Sequence, residues 1–147
     1  MLIKAITQTL KRAYPELRVY TERVVKGMHK PCFSVIVIDA AQSQLVGNRF
    51  RALWMVAVRY FPLDDGSKSS YEELHEVAQD LYGILDEVRF QHEDAEDDTY
   101  LGTRMSHRIE DNVLHFMVSY PFMLKKKLQP VTKQGQLTNI TKVGERV

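Results

Sequence analysis

At 147 residues, with 44% apolar and 27% charged residues, the chain has the size and composition of one globular domain, which excludes two full ones. Lys and Arg total 20 against 19 Asp and Glu, a formal net charge of +1, so no global basic excess points to nucleic acid and any electrostatic partner must be read locally. The single cysteine, Cys32, excludes an internal disulfide and favours a reducing compartment. Lys4, Lys11 and Arg12 interrupt the apolar pattern of residues 1–14, unlike a signal peptide, and no run approaches membrane-spanning length, so a cytoplasmic origin is expected.

Leu2, Ile6, Leu10 and Ala13 recur at helical spacing before Pro15, which predicts a helix over 2–14. Residues 17–20 alternate and read as a short strand; the β-branched run 33–38 reads as a buried one. Residues 39–48 are polar and include Gly47, the chemistry of a loop. In 50–61, Phe50, Ala52, Trp54, Val56, Val58 and Tyr60 share one face of a strand. Its other face, with Leu53, Met55, Ala57 and Phe61, is apolar as well, so a helix is expected on one side and another layer or subunit on the other.

Pro62 ends that strand, 64–70 is turn-rich, and Ser70 stands three residues before Glu73 as a capping box. Leu74, Val77, Ala78, Leu81, Leu85 and Val88 then line one face of a helix over 71–88. Glu93 to Asp98 carries five acids and no base, and reads as a solvated loop. A two-residue turn at Asp111 and Asn112 would set Ile109 opposite Leu114, His107 opposite Phe116 and Met105 opposite Val118, gathering the apolar residues on one face. The expected fold is α+β, a mainly antiparallel sheet packed by two helices in the order α-β-β-β-α-β-β. It comprises a domain over 1–125 and a polar, basic arm over 126–147, mobile or ordered by a partner.

Reactive chemistry has no anchor in this sequence. None of His29, His75, His92, His107 and His115 falls in a metal-binding pair, and no nucleophile elbow, phosphate loop or dinucleotide fingerprint occurs, so no catalytic residue, metal or cofactor is assigned. His107 reads as a hydrogen-bonded core histidine and Cys32 as a buried thiol. Two rival functions rest on charge. The carboxylates Glu93, Asp94, Glu96, Asp97 and Asp98 could serve a metal-dependent nuclease, although they lack the spacing and glycine of a calcium loop. The arm from Lys125, with six basic residues against Glu145, could serve a nucleic-acid-binding module by meeting phosphate, could meet an acidic protein, or, through the alternation of Leu137, Asn139, Thr141 and Val143, could add a strand to a neighbour.

The blocks Pro31-Cys32-Phe33, Leu45-Val46-Gly47-Asn48-Arg49-Phe50 and Val58-Arg59-Tyr60-Phe61-Pro62 resemble the phage tail terminator family. So do Leu101-Gly102-Thr103-Arg104-Met105, Asp111-Asn112-Val113-Leu114-His115-Phe116 and Tyr120-Pro121-Phe122, the whole covering about residues 1–125. The resemblance implies a structural protein without catalysis: a ring, typically a hexamer, that caps a finished tail tube, stops its polymerisation and docks the head-side connector or neck protein. It also implies a place in a virion or tail-like particle, assembled in the host cytoplasm, with the tube protein as a partner and the sheath as a further neighbour, and no membrane, cofactor or specific nucleic acid. No active-site residue carries over. The candidate interaction residues are Gly47 and Asn48, which serve either a turn within one subunit or an interface, and Arg49, for a charge pair across the ring or towards the tube. Arg59 is a candidate interfacial cation or a solvated strand residue, and Lys125, Lys126 and Lys127 are candidates to touch an acidic neighbour.

Overall fold

A computed structural model describes residues 1–21, 27–63 and 68–125. The elements run α1 (Leu2–Ala13), β1 (Arg18–Tyr20), β2 (Cys32–Gln44), β3 (Arg49–Phe61), α2 (Lys68–Ile84), β4 (Glu87–Phe90), β5 (Asp98–Leu101), β6 (Thr103–Glu110) and β7 (Val113–Lys125). A five-stranded sheet has the order β1-β2-β3-β7-β6, and β4 and β5 form a two-stranded sheet of their own. The fold is α+β, with two helices on a mainly antiparallel sheet. Contacts divide the described chain into residues 1–41 with 53–122, and residues 42–52 with 123–125. The basic arm over 126–147 lies outside the described residues.

The core follows from the two periodicities. On α1, Leu2, Ala5, Ile6 and Leu10 are buried. On α2, Leu74, Val77, Ala78 and Leu81 are buried, with Leu85 just beyond its end. They pack on alternate residues of the sheet: Phe33 and Val35 of β2, Val56, Val58 and Tyr60 of β3, and Leu114, Phe116, Val118 and Tyr120 of β7. Each fully buried Leu or Phe contributes about 1.5–3 kcal/mol relative to exposure.

Three segments differ from their sequence reading. The strand expected over 33–38 continues to Gln44, because Asp39 to Gln44 contains neither Gly nor Pro; its polarity records exposure, not a loop. The helix expected over 71–88 spans Lys68 to Ile84. Ser70 therefore lies inside its first turn rather than at a capping box, where its Oγ donates to Asn112 Oδ1 at 3.1 Å, while Glu73 accepts from Tyr60 Oη at 2.5 Å. Val88, which fits the helical stripe, is instead buried in β4. There Glu87 and Arg89 share the outer side and pair at 2.7 Å, a spacing of two that belongs to a strand.

The β6–β7 register agrees with the sequence from Ser106 to Glu110, with His107 opposite Phe116 and Ile109 opposite Leu114. Asp111 and Asn112 have φ of 51° and 59°, the pair of positive values that a twisted two-residue hairpin turn needs. Nearer the start of β6 the register shifts: Thr103 faces Ser119, one extra residue is accommodated before Ser106, and Arg104 takes φ 50°. Hairpin geometry fixes register only near the turn.

Candidate interaction surface

Gly47 sits in the connection between β2 and β3 with φ 66°, a backbone state that L-residues rarely adopt. The turn is closed by Arg49 N–H donating to Val46 O at 3.3 Å and Leu45 N–H donating to Arg49 O at 2.8 Å. The side chain of Gln44, not singled out from sequence, donates from Nε2 to the Gly47 carbonyl at 3.0 Å. A Cβ on Gly47 would meet nothing within 4 Å, so conformation rather than space requires glycine there. Asn48 occupies the last position of the turn, Val46 at its tip is 85% exposed, and Arg49 is exposed at the start of β3. Lys125, the last residue of β7, is also exposed. Lys126 and Lys127 lie outside the described residues.

Arg59 is half-buried rather than solvated. Its Nη2 donates to Ser34 Oγ at 3.0 Å and its guanidinium carbon lies 5.3 Å from the centre of the Phe61 ring. Both contacts lie on the sheet face away from the core, since Arg59 and Phe61 alternate with Val58 and Tyr60. On that same side of β3, Ala57 and Phe61 are buried, whereas Leu53 is 48% and Met55 37% exposed. The helices cover one face of β3 as expected; on the other, among the described residues, Ala57 and Phe61 are buried and Leu53 and Met55 are not. A strand that carries open apolar residues and an anchored cation on one side has the chemistry of a protein–protein contact.

His107, His75 and Cys32 have structural partners. His107 Nδ1 lies 2.8 Å from Tyr82 Oη, and its Nε2 lies 3.3 Å from Nδ1 of His75, which in turn stacks edge-on against Tyr71. Burial first, then the neighbouring His75, hold the His107 pKa below its ordinary value. The reading of His107 as a hydrogen-bonded histidine therefore holds. Its partners Tyr82 and His75 were missed, although Tyr71, His75 and Tyr82 are spaced by four and then seven residues, about one and two turns along one face of the helix. Cys32 is buried, 3.7 Å from Met28 Sδ, with its thiol pKa raised by burial and only partly offset by Lys30.

Glu93, Asp94, Glu96 and Asp97 are exposed in the loop between β4 and β5, and Asp98 starts β5 with its Oδ2 3.0 Å from His92 Nε2. Among the described residues no three His, Cys, Asp or Glu side chains are grouped to hold a metal ion. No described helix is long and apolar enough to cross a membrane.

A family model described as phage tail terminator protein matches residues 1–132. The chain belongs to that family. Tail terminators are structural proteins of phage tails, so the chain is a component of a virion or a tail-like particle that associates with other tail parts. No curated protein matches it. The terminator match takes in the β2–β3 turn, Arg59 and all described strands, together with the first residues after Lys125.

Proposed function

We propose that copies of this chain close into a ring, a hexamer by the family resemblance, that caps a finished tail tube, stops its polymerisation and presents a docking surface to the head-side connector or neck protein. Membership of the tail terminator family carries this reading. The open apolar side of β3 supports it, since a cyclic assembly joins two different patches of each subunit and needs surface that a monomer leaves uncovered. In this reading the chain performs no catalysis, takes no cofactor and assembles in the host cytoplasm. The sheath is a further neighbour where the tail has one.

The interaction residues take their roles from position. Gly47 and Asn48 shape the β2–β3 turn, with Arg49 at its exit offered to a neighbour or to the tube. Arg59, fixed by Ser34 and Phe61, offers a cation with little conformational entropy left to lose on the side of β3 that also carries Leu53 and Met55. Lys125, Lys126 and Lys127 meet an acidic neighbouring surface. The domain proper ends at 125 and the basic arm begins at 126.

The test is a tube-growth assay. Adding the purified chain to polymerising tube protein is expected to halt elongation at amounts far below one chain per tube subunit, because one ring serves one end. Elongation that continues unchanged would overturn the proposal.

A further inference from the structure

The two edges of the five-stranded sheet are built differently. At one edge, β6 carries exposed Arg104, Arg108 and Glu110 and has a register shift with φ 50° at Arg104, devices that discourage another strand from pairing there. At the other edge, β1 covers only the beginning of β2: Arg18, Val19 and Tyr20 pair in parallel with Cys32, Phe33 and Ser34. From Val35 to Ala41, no strand among the described residues lies on the outer side of β2. This stretch contains one charged residue, Asp39, no Pro and no Gly, and Ile38 is 46% exposed. Among the described residues it is a nearly uncharged edge of the kind that accepts an added strand.

The chain itself contains a segment with the matching properties. Residues 137–143, Leu-Thr-Asn-Ile-Thr-Lys-Val, are rich in β-branched side chains and contain no Pro or Gly. Residues 126–136 separate this segment from the end of β7, and at roughly 3.3 Å per extended residue they span more than 30 Å. That tether is long enough to leave the parent subunit. We infer that residues 137–143 of one copy pair along the outer edge of β2, between Val35 and Ala41, of the next copy. The inference rests on the ring reading, because a cyclic assembly needs a donor on one side of each subunit and a different acceptor on the other. Backbone hydrogen bonds along the edge supply the attachment, and alternate side chains of the arm set its register.

Mixed disulfide trapping tests this. One full-length population carries Ala40→Cys, and a second, of different tag length, carries a cysteine at one of positions 138–141 in turn. The two are mixed on tail tubes, oxidised and separated without reductant. The expected result is a mixed dimer for alternate arm positions, absent when Ala40→Cys is replaced by Arg108→Cys on the opposite edge. Full-length chains carrying both cysteines are expected to form ladders of linked subunits. Rings that form with no mixed dimer at any position, or double-cysteine chains that close only on themselves, would overturn the strand exchange and leave the ring intact. If no ring or cap forms at all, the ring reading falls and the exchange with it. A chain ending at Gln136 supplies a second readout: with an unchanged melting curve, it is expected to need about tenfold more protein to cap tubes. Capping at the wild-type concentration would also overturn the inference.

Discussion

Gly102 and Tyr120 both lie close to the carbonyl of Leu85, just beyond the end of α2. Tyr120 Oη donates to that oxygen at 2.7 Å, while a Cβ on Gly102 would stand 2.8 Å from it and 3.0 Å from Val118 Cγ2. Backbone cannot yield as a side-chain tip can, so Gly102→Ala is expected to destabilise the fold by about 1–3 kcal/mol in urea titration. Tyr120→Phe leaves a buried carbonyl without its donor and is expected to cost about 1–3 kcal/mol in the same measurement. Titration is also local. Because folding lowers the pKa of His107, through burial and His75, and of His115, mainly through burial, the unfolded chain takes up protons first as pH falls. Their contribution is full above the ordinary histidine value of 6.5 and is lost as pH drops through the lowered folded values. The urea midpoint should fall from pH 8 to pH 5 by more in the native chain than in His107→Gln; equal slopes would contradict this. Tyr14, beside Asp80 and half-buried, is pushed up to about 12, so its share of stability is full below 10 and is lost as pH rises through about 12.

At the scale of elements, the β2–β3 turn carries the most direct prediction. Gly47→Val forces a β-branched residue to φ 66° and is expected to cost about 1–2 kcal/mol. A melting temperature equal to that of the native chain would show that the turn relaxes elsewhere. How far these elements were legible depended on whether one principle acted alone. The stripe on α1 and the alternation in β3 had no competitor and were read within a residue or two. The Asp111–Asn112 turn fixed the hairpin register up to Ser106, but the shift at Arg104 has no sequence mark comparable to a glycine. Val88 fits both a helical stripe with Leu81 and Leu85 and a strand with Phe90; the companion sheet strand β5, distant in sequence, decides it. Polarity misled over 39–44, where exposed strand and loop share a composition. At the candidate surface, Gly47 announced its positive φ. The clasp of Arg59 by Ser34 could not be read, because it requires the pairing of strands 25 residues apart.

At the level of the assembly, the chain belongs to the phage tail terminator family, and its described surface includes an open apolar side of β3 at Leu53 and Met55. Glu93, Asp94 and Asp97 are exposed, Asp98 contacts His92 at the surface, and among the described residues no three such side chains are grouped for a metal, so replacing Glu93, Asp94, Asp97 and Asp98 by Gln or Asn is expected to leave tube capping unchanged. Loss of a metal-dependent cleavage of DNA in that variant would instead favour a nuclease. A ring at the end of a tube can be seen by incubating the purified chain with tail tubes and imaging them in negative stain, with subunits counted by averaging end views. The expected result is a single closed ring of identical subunits on one end of each tube and none along its length. Bare ends, or chains scattered along the wall, would contradict it.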